Sequence, residues 1–227
     1  FIHYLDLGSQ FSSLQKVVNS RQPGKRGIRV ETMKLEPNIE KTGKLATYLQ
    51  VGQTVMVQIA KEAISTKGPR LTADISLAGR NVVLVPFPSK IFISQKIRST
   101  ETKKRLRQIA AGILPKNFGV IIRTAAAEAH DADIEQDIRS LLERWNNAVG
   151  NIRKSQAPAL LMSEMNRANT IIRDSLNSTF SQITVDDEAL FREIKNYIKI
   201  IDPQLEKIVK LYRGTVPIFD NFDISKQ

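Results

Sequence analysis

Between residues 132 and 153 the apolar side chains Ile134, Ile138, Leu141, Leu142, Trp145 and Val149 recur at i, i+4, i+7, i+8, i+11 and i+15. That spacing lines one face of an α-helix and no face of a strand. Such a helix must lay its stripe against another layer, and short apolar runs lie just upstream. Asn81 to Val85, bounded by Gly79 and Pro86, suits a buried strand. Ile91-Phe92-Ile93-Ser94 and Phe118-Gly119-Val120-Ile121-Ile122-Arg123 suit two more, with a helix expected over about 100–111 between them. Residues 79 to about 157 therefore read as an α/β domain.

The chain before it reads as β-rich. Thr54 to Ile59 alternates with period two, which would put Val55, Val57 and Ile59 on one face. After the turn residues Ser65-Thr66-Lys67-Gly68-Pro69, a second strand is expected through Leu71 to Leu77. Lys16 to Lys34 holds six basic residues and one acidic, with Pro23, Gly24 and Gly27 interleaved, and predicts a mobile basic loop outside the core. Beyond residue 158 the apolar run Ala159 to Met162 precedes an expected helix over 165–176. A further helix is expected over 187–201, with Leu190, Ile194, Ile198 and Ile201 aligned and Pro203 ending it. Gly214 to Phe219 reads as a strand or linker. The chain opens inside an apolar stretch, Phe1 to Leu5, which suggests that further strands precede it.

The charge balance is lopsided: 34 Lys and Arg against 23 Asp and Glu, a net +11 with pI near 9.9. This is the footprint of a polyanion binder. No run approaches a membrane span and no signal-peptide pattern opens the chain, so a cytoplasmic protein with no membrane partner is expected. Without cysteine there is no disulfide, thiol nucleophile or cysteine-held zinc. With only His3 and His130, a histidine metal site or a Ser-His-Asp relay has almost nothing to be built from.

Three constellations suit a phosphate-bearing partner. Lys67 and Arg70 flank the turn between two predicted strands, where an OB-type barrel contacts phosphates and stacks bases on nearby aromatics; Phe1 and Phe11 are candidate platforms. Lys90 to Arg107 holds seven basic residues against Glu101, enough to neutralise several phosphates. Arg123-Thr124 ends a strand with a guanidinium and a hydroxyl side by side, a small anion grip. The acidic clusters read as helix starts: Asp131 and Asp133 behind His130, and Asp186-Asp187-Glu188 before the Leu190 helix. Asp220 and Asp223 are carboxylates without a supporting core.

Taken together, Lys67-Gly68-Pro69-Arg70-Leu71-Thr72, Ser76-Leu77-Ala78-Gly79 and Val83-Leu84-Val85-Pro86 resemble the ribonuclease E/G family. So do Asn117 to Ala125, Val209-Lys210-Leu211-Tyr212 and Val216-Pro217-Ile218-Phe219. These blocks stand in family order across nearly the whole chain, in the manner of the shorter, ribonuclease G-like form. The resemblance implies an α+β chain of three parts. Residues 1–78 would be an S1-type OB-fold β-barrel lacking its first strands, residues 79–157 an α/β 5′-sensor domain, and residues 158–227 part of an RNase H-like subdomain.

By position the resemblance implies that Arg123 and Thr124 hold a 5′-terminal phosphate and that Gly79 and Val83 contact the terminal nucleotide. Lys67, Phe1 and, more loosely, Phe11 would touch RNA in the first domain. The basic pair that follows the sensor's third block reads Gln95-Lys96 here, leaving Lys96 as a single secondary contact. The implied function is the RNA-binding, 5′-monophosphate-sensing part of a single-strand-specific endoribonuclease of RNA processing and decay. Its cleavage depends on aspartates holding magnesium in a later DNase I-like domain, and its subunits associate through a later zinc-binding cysteine motif. Neither lies in this chain, so no cofactor, no catalytic residue and no metal site is expected within it. A reading of another class explains the charge equally: a non-enzymatic OB-fold RNA-binding module, ribosome-associated or an RNA chaperone. That reading gives Arg123-Thr124 no task.

Overall fold

A computed structural model describes residues 1–20, 27–40, 42–164, 167–176 and 179–226. They form two compact units, Phe1–Ser163 and Glu164–Gln227. The mixed α+β class holds.

In the first unit, helix α1 (Phe11–Ser20) precedes a two-stranded antiparallel sheet of β1 (Gln58–Lys61) and β2 (Arg70–Thr72). A four-stranded sheet follows, made from β3 (Leu77–Ala78), β4 (Val82–Pro86), β5 (Ile91–Ile93) and β6 (Phe118–Ile122), in the order β3-β4-β6-β5. The β3/β4 and β4/β6 pairs are antiparallel and β5/β6 is parallel. Helix α2 (Thr100–Ile113) makes the parallel crossover from β5 to β6, and α3 (Asp131–Asn151) follows. The long apolar stripe does what its spacing predicts. Ile134, Ile138, Leu141, Trp145 and Val149 are buried, against a sheet face made of Val82, Leu84, Val120 and Ile122. Trp145 meets Phe87 and Phe118 edge-on, with centroids 6.2 and 6.4 Å away.

The first 78 residues depart most from expectation. Among the described residues they hold β1, β2, β3 and a parallel bridge from Ile2 to Leu71, but no closed barrel. The expected boundary at 78/79 cuts the β3–β4 hairpin, and one apolar core runs from Leu7 to Val149. The expected face of Thr54–Ile59 is inverted. Met56 is buried, whereas Val57 and Ile59 are exposed. The physical reason is Gln58, whose amide donates to the Ser76 carbonyl at 3.0 Å and accepts the Ser76 N–H at 3.1 Å. By satisfying both backbone groups of one residue, a polar side chain takes the inward register. The basic segment after Lys16 is only partly a loop. Lys16 lies on α1, while Val30 and Met33 are core; residues 21–26 lie outside the described residues. Asn117, 4% exposed, donates to the carbonyls of Val30 and Met33 at 2.8 Å each, tying this segment to the start of β6.

The second unit contains α4 (Arg167–Ser175), β7 (Ile183–Val185), α5 (Glu188–Ile201), β8 (Val209–Leu211) and the short α6 (Ile218–Asn221). β7 and β8 pair in parallel across α5, and Ile172, Leu176, Val185, Ile194, Ile198 and Val209 form its core. Asp187 caps α5 by accepting the Leu190 N–H at 2.7 Å. Of the helix expected over 165–176, residues 165 and 166 lie outside the described residues. The tail read as strand or linker contains α6 instead. No helix of the described residues is long and apolar enough to cross a membrane.

Candidate nucleic-acid interface

Strand β6 ends at Ile122, and the next two residues leave the sheet at a corner shared by four chain segments. The Arg123 N–H donates to Asn81 O at 2.8 Å, adding one rung to the β4/β6 ladder. Its guanidinium reaches across and donates through Nη1 to Gly79 O, also at 2.8 Å. The turn carrying Gly79 is held from below by Asp137 of α3, which accepts the Asn81 N–H at 2.7 Å and the Val82 N–H at 3.1 Å. That grip explains the glycine. A Cβ at residue 79 would lie 2.4 Å from Asp137 Oδ1, closer than any side chain tolerates.

Thr124 is exposed, and its hydroxyl lies 2.9 Å from the Ser94 hydroxyl at the end of β5. Ser94 donates its N–H to Ile122 O at 2.9 Å, and its Oγ accepts the Lys96 N–H at 3.4 Å. Val83 pairs with Ile121, two residues before Arg123. The structure thus brings Arg123, Thr124, Gly79 and Val83 to one corner, with Lys96 exposed beside Ser94. A guanidinium, two hydroxyls and an ammonium near one another form a donor set suited to an anion with several oxygens. Sequence reasoning missed Ser94 and Asp137 as members. Ser94 sits at a strand end parallel to β6, and Asp137 lies one helical turn after Asp133 on a helix judged only by its apolar stripe.

The sites expected in the first 78 residues divide. Lys67 is exposed in a tight turn in which Ile64 and Lys67 exchange both backbone hydrogen bonds, at 3.0 and 3.1 Å. The turn residue with positive φ is Ser65, at 51°, rather than the glycine. Phe1 is 71% exposed. Its amino group donates to Pro69 O at 2.8 Å, and its carbonyl accepts the Leu71 N–H at 2.8 Å, so an open aromatic ring sits beside the Lys67 turn.

Phe11 is a correction. It is 2% exposed in the α1 interface with the core, so no base can stack on it; its stripe partners Leu14, Val17 and Val18 are equally buried, as an amphipathic helix demands. Arg70 is a second correction. Its Nε and Nη2 donate to the two Asp6 oxygens at 2.9 and 2.7 Å, a bidentate pair that occupies the fork expected to meet phosphate. The same guanidinium holds the Asp6 carboxyl below its ordinary range.

Within the basic run, Arg105 is structural. It donates to the carbonyls of Ala127 and Ala129 at 3.1 and 3.3 Å and to Asp131 at 2.6 Å, bracing α2 against the start of α3. Lys90, Lys96, Arg98, Lys104 and Arg107 remain exposed. His130 and Asp131 open α3, with Asp131 and Asp133 at its positive end. Among the described residues no three His, Cys, Asp or Glu side chains come together as a metal site.

Residues 76–227 match the model of the ribonuclease E/G family. Ribonuclease G of Haemophilus influenzae is 31% identical over 184 residues, covering 81% of this chain and 38% of that protein. Ribonuclease G of Escherichia coli is 30% identical over 183 residues, covering 81% of this chain and 37% of that protein. The chloroplastic ribonuclease E/G-like protein of Arabidopsis thaliana is 28% identical over 226 residues, covering 92% of this chain and 22% of that protein. The chain therefore spans less than two-fifths of the length of these relatives. A family model that takes in both the Arg123 corner and all of the second unit leaves one assignment: the chain belongs to the ribonuclease E/G family.

Proposed function

We propose that this chain is the RNA-binding and 5′-monophosphate-sensing part of a single-strand-specific endoribonuclease of RNA processing and decay. The observation that carries the reading is the corner itself. Arg123 and Thr124 are fixed by cross-links to Gly79 in the β3–β4 turn and to Ser94 just after β5, so the donors are ordered before a ligand arrives. One terminal phosphate matches such a grip, a triphosphate is bulkier, and a 5′-hydroxyl brings no charge. Lys67, Phe1 and Lys96 would follow the strand away from its end. Arg70 and Phe11 are left out, because one is paired and the other buried.

Cleavage in this family is expected to use magnesium. Among the described residues no three His, Cys, Asp or Glu side chains come together, and no chemical step is assigned to them. In this reading the chain alone binds RNA without cutting it.

The test is a binding comparison on short single-stranded RNAs that differ only at the 5′ end. A 5′-monophosphate should be bound about 10-fold tighter than a 5′-hydroxyl, as one charge-assisted contact implies. Raising salt should weaken both with a log–log slope of about −2 to −3, corresponding to three or four phosphates on a single strand. Equal affinity for the two ends removes the sensing role, and a flat salt response removes the polyanion role.

A further inference from the structure

The four-stranded sheet has a second face, and part of it is uncovered. Val82, Leu84, Val120 and Ile122 point to the helices and are fully buried. By strand alternation their neighbours point the other way. Val83 pairs with Ile121, and Ile121 pairs with Phe92, so these three form one transverse row across β4, β6 and β5. Phe92 is 54% and Ile121 42% exposed, and none of the three belongs to the apolar core. Arg123 and Ser94 come directly after β6 and β5, two residues beyond Ile121 and Phe92, a chain distance of about 7 Å from the row.

We infer that this row is a base platform, with Phe92 stacking a base next to the 5′ phosphate that Arg123 and Thr124 hold. The inference rests on the 5′-sensing reading for the position of that phosphate. An exposed aromatic flanked by aliphatic side chains offers a flat apolar surface to a π-face, the sequence-tolerant contact of single-strand binders.

The charge around it selects a nucleic acid over a protein. Lys90 and Lys96 stand exposed just before and after β5. Outside α2, residues 75 to 127 contain six basic residues, Arg80, Lys90, Lys96, Arg98, Lys116 and Arg123, and no acidic one. A row three side chains wide is also far short of the roughly 1,200 Å² that a stable protein interface buries, yet it matches the face of one or two bases.

Phe92 is exposed, so Phe92→Ala should fold, and the experiment compares wild type, Phe92→Ala and Phe92→Trp. The probes are one 5′-monophosphorylated single-stranded RNA and the same RNA with abasic sites at its first two positions. Wild type should bind the intact RNA at least about 5-fold tighter than the abasic one. Phe92→Ala should bind both at the abasic level while keeping the wild-type preference for 5′-monophosphate over 5′-hydroxyl. Phe92→Trp should keep the base-dependent gain, with its fluorescence quenched by the intact RNA. If Phe92→Ala distinguishes intact from abasic RNA as wild type does, the platform is overturned. It is also overturned if that substitution abolishes self-association in sedimentation and leaves RNA affinity unchanged. A base-dependent loss without any 5′-phosphate preference in wild type would keep the platform and remove the sensing role instead.

Discussion

Replacing Asn117 with Ala should detach the segment around Val30 and Met33 from the sheet, and the cost can be worked from the structure. The Asn117 amide serves two backbone carbonyls at 2.8 Å each in a site where the residue is 4% exposed. Losing it strands two buried acceptors, at about 1–2 kcal/mol each. Asn117 also has φ of 67°, where a residue with a Cβ but no local polar compensation loses about 1 kcal/mol more. The expected total is about 3–5 kcal/mol, which at an m-value near 2 kcal/mol/M lowers the urea midpoint by about 2 M.

The chain supplies its own reporter for this experiment. Trp145 is the sole tryptophan and is buried edge-on against Phe118, the neighbour of Asn117. Asn117→Gly keeps the positive φ and loses only the amide, so it should recover about 1 kcal/mol relative to Ala. Asn117→Asp keeps the shape but points oxygens at carbonyls, and should be at least as damaging as Gly. A loss below about 0.5 kcal/mol for Asn117→Ala would refute the reasoning, since that is the range of an ordinary surface change.

Three further perturbations test other joints. The Arg70 guanidinium holds the Asp6 carboxyl below its ordinary range, so its contribution is present above about pH 4 and is lost as pH falls through the folded value. The stability difference between wild type and Asp6→Asn should therefore shrink in acid; a difference that grows in acid contradicts the pairing. Asp74, pushed up by burial, acts in the opposite sense but is common to both proteins and cancels. Gly119→Ala would place a Cβ 2.1 Å from Pro88 O and 2.5 Å from Lys90 O. Thermal unfolding should show a loss of more than about 3 kcal/mol, and an unchanged midpoint would mean that β5 yields easily. In the second unit Asp187→Ala removes the α5 cap and should cost about 1 kcal/mol, visible as faster hydrogen exchange at the Leu190 and Phe191 amides.

Legibility in the sequence followed the reach of the forces involved. Elements set by a long apolar period, α3 and α5 above all, lie where the spacing of Ile134 to Val149 and of Leu190 to Ile201 put them. The strands β4, β5 and β6 were legible as short apolar runs between breakers. Strands β7 and β8 were missed because each is three residues with a polar one in the middle, Thr184 and Lys210, unlike the unbroken apolar run of β5, and their pairing across α5 is what makes them strands. In the first 78 residues the inverted register at Thr54–Ile59 came from Gln58 capturing Ser76, a contact that alternation cannot foresee. Phe11 failed as a platform because a ten-residue helical stripe, Phe11, Leu14, Val17 and Val18, went unread in a segment taken for β structure. Arg70 failed because its partner Asp6 is 64 residues away. The Arg123-Thr124 pair stood out in the sequence as a guanidinium beside a hydroxyl at a strand end, while the residues that brace it, Ser94 and Asp137, emerge only when the strands and α3 are laid side by side.

The sharpest measurement is a double cycle that combines Arg123→Ala with removal of the RNA 5′ phosphate, read by anisotropy at fixed salt. If Arg123 holds that phosphate, either change alone should weaken binding about 10-fold and the two together scarcely more than one, a coupling near 1.4 kcal/mol. Additive losses, with a coupling near zero, would mean that Arg123 braces Gly79 and the phosphate is read elsewhere.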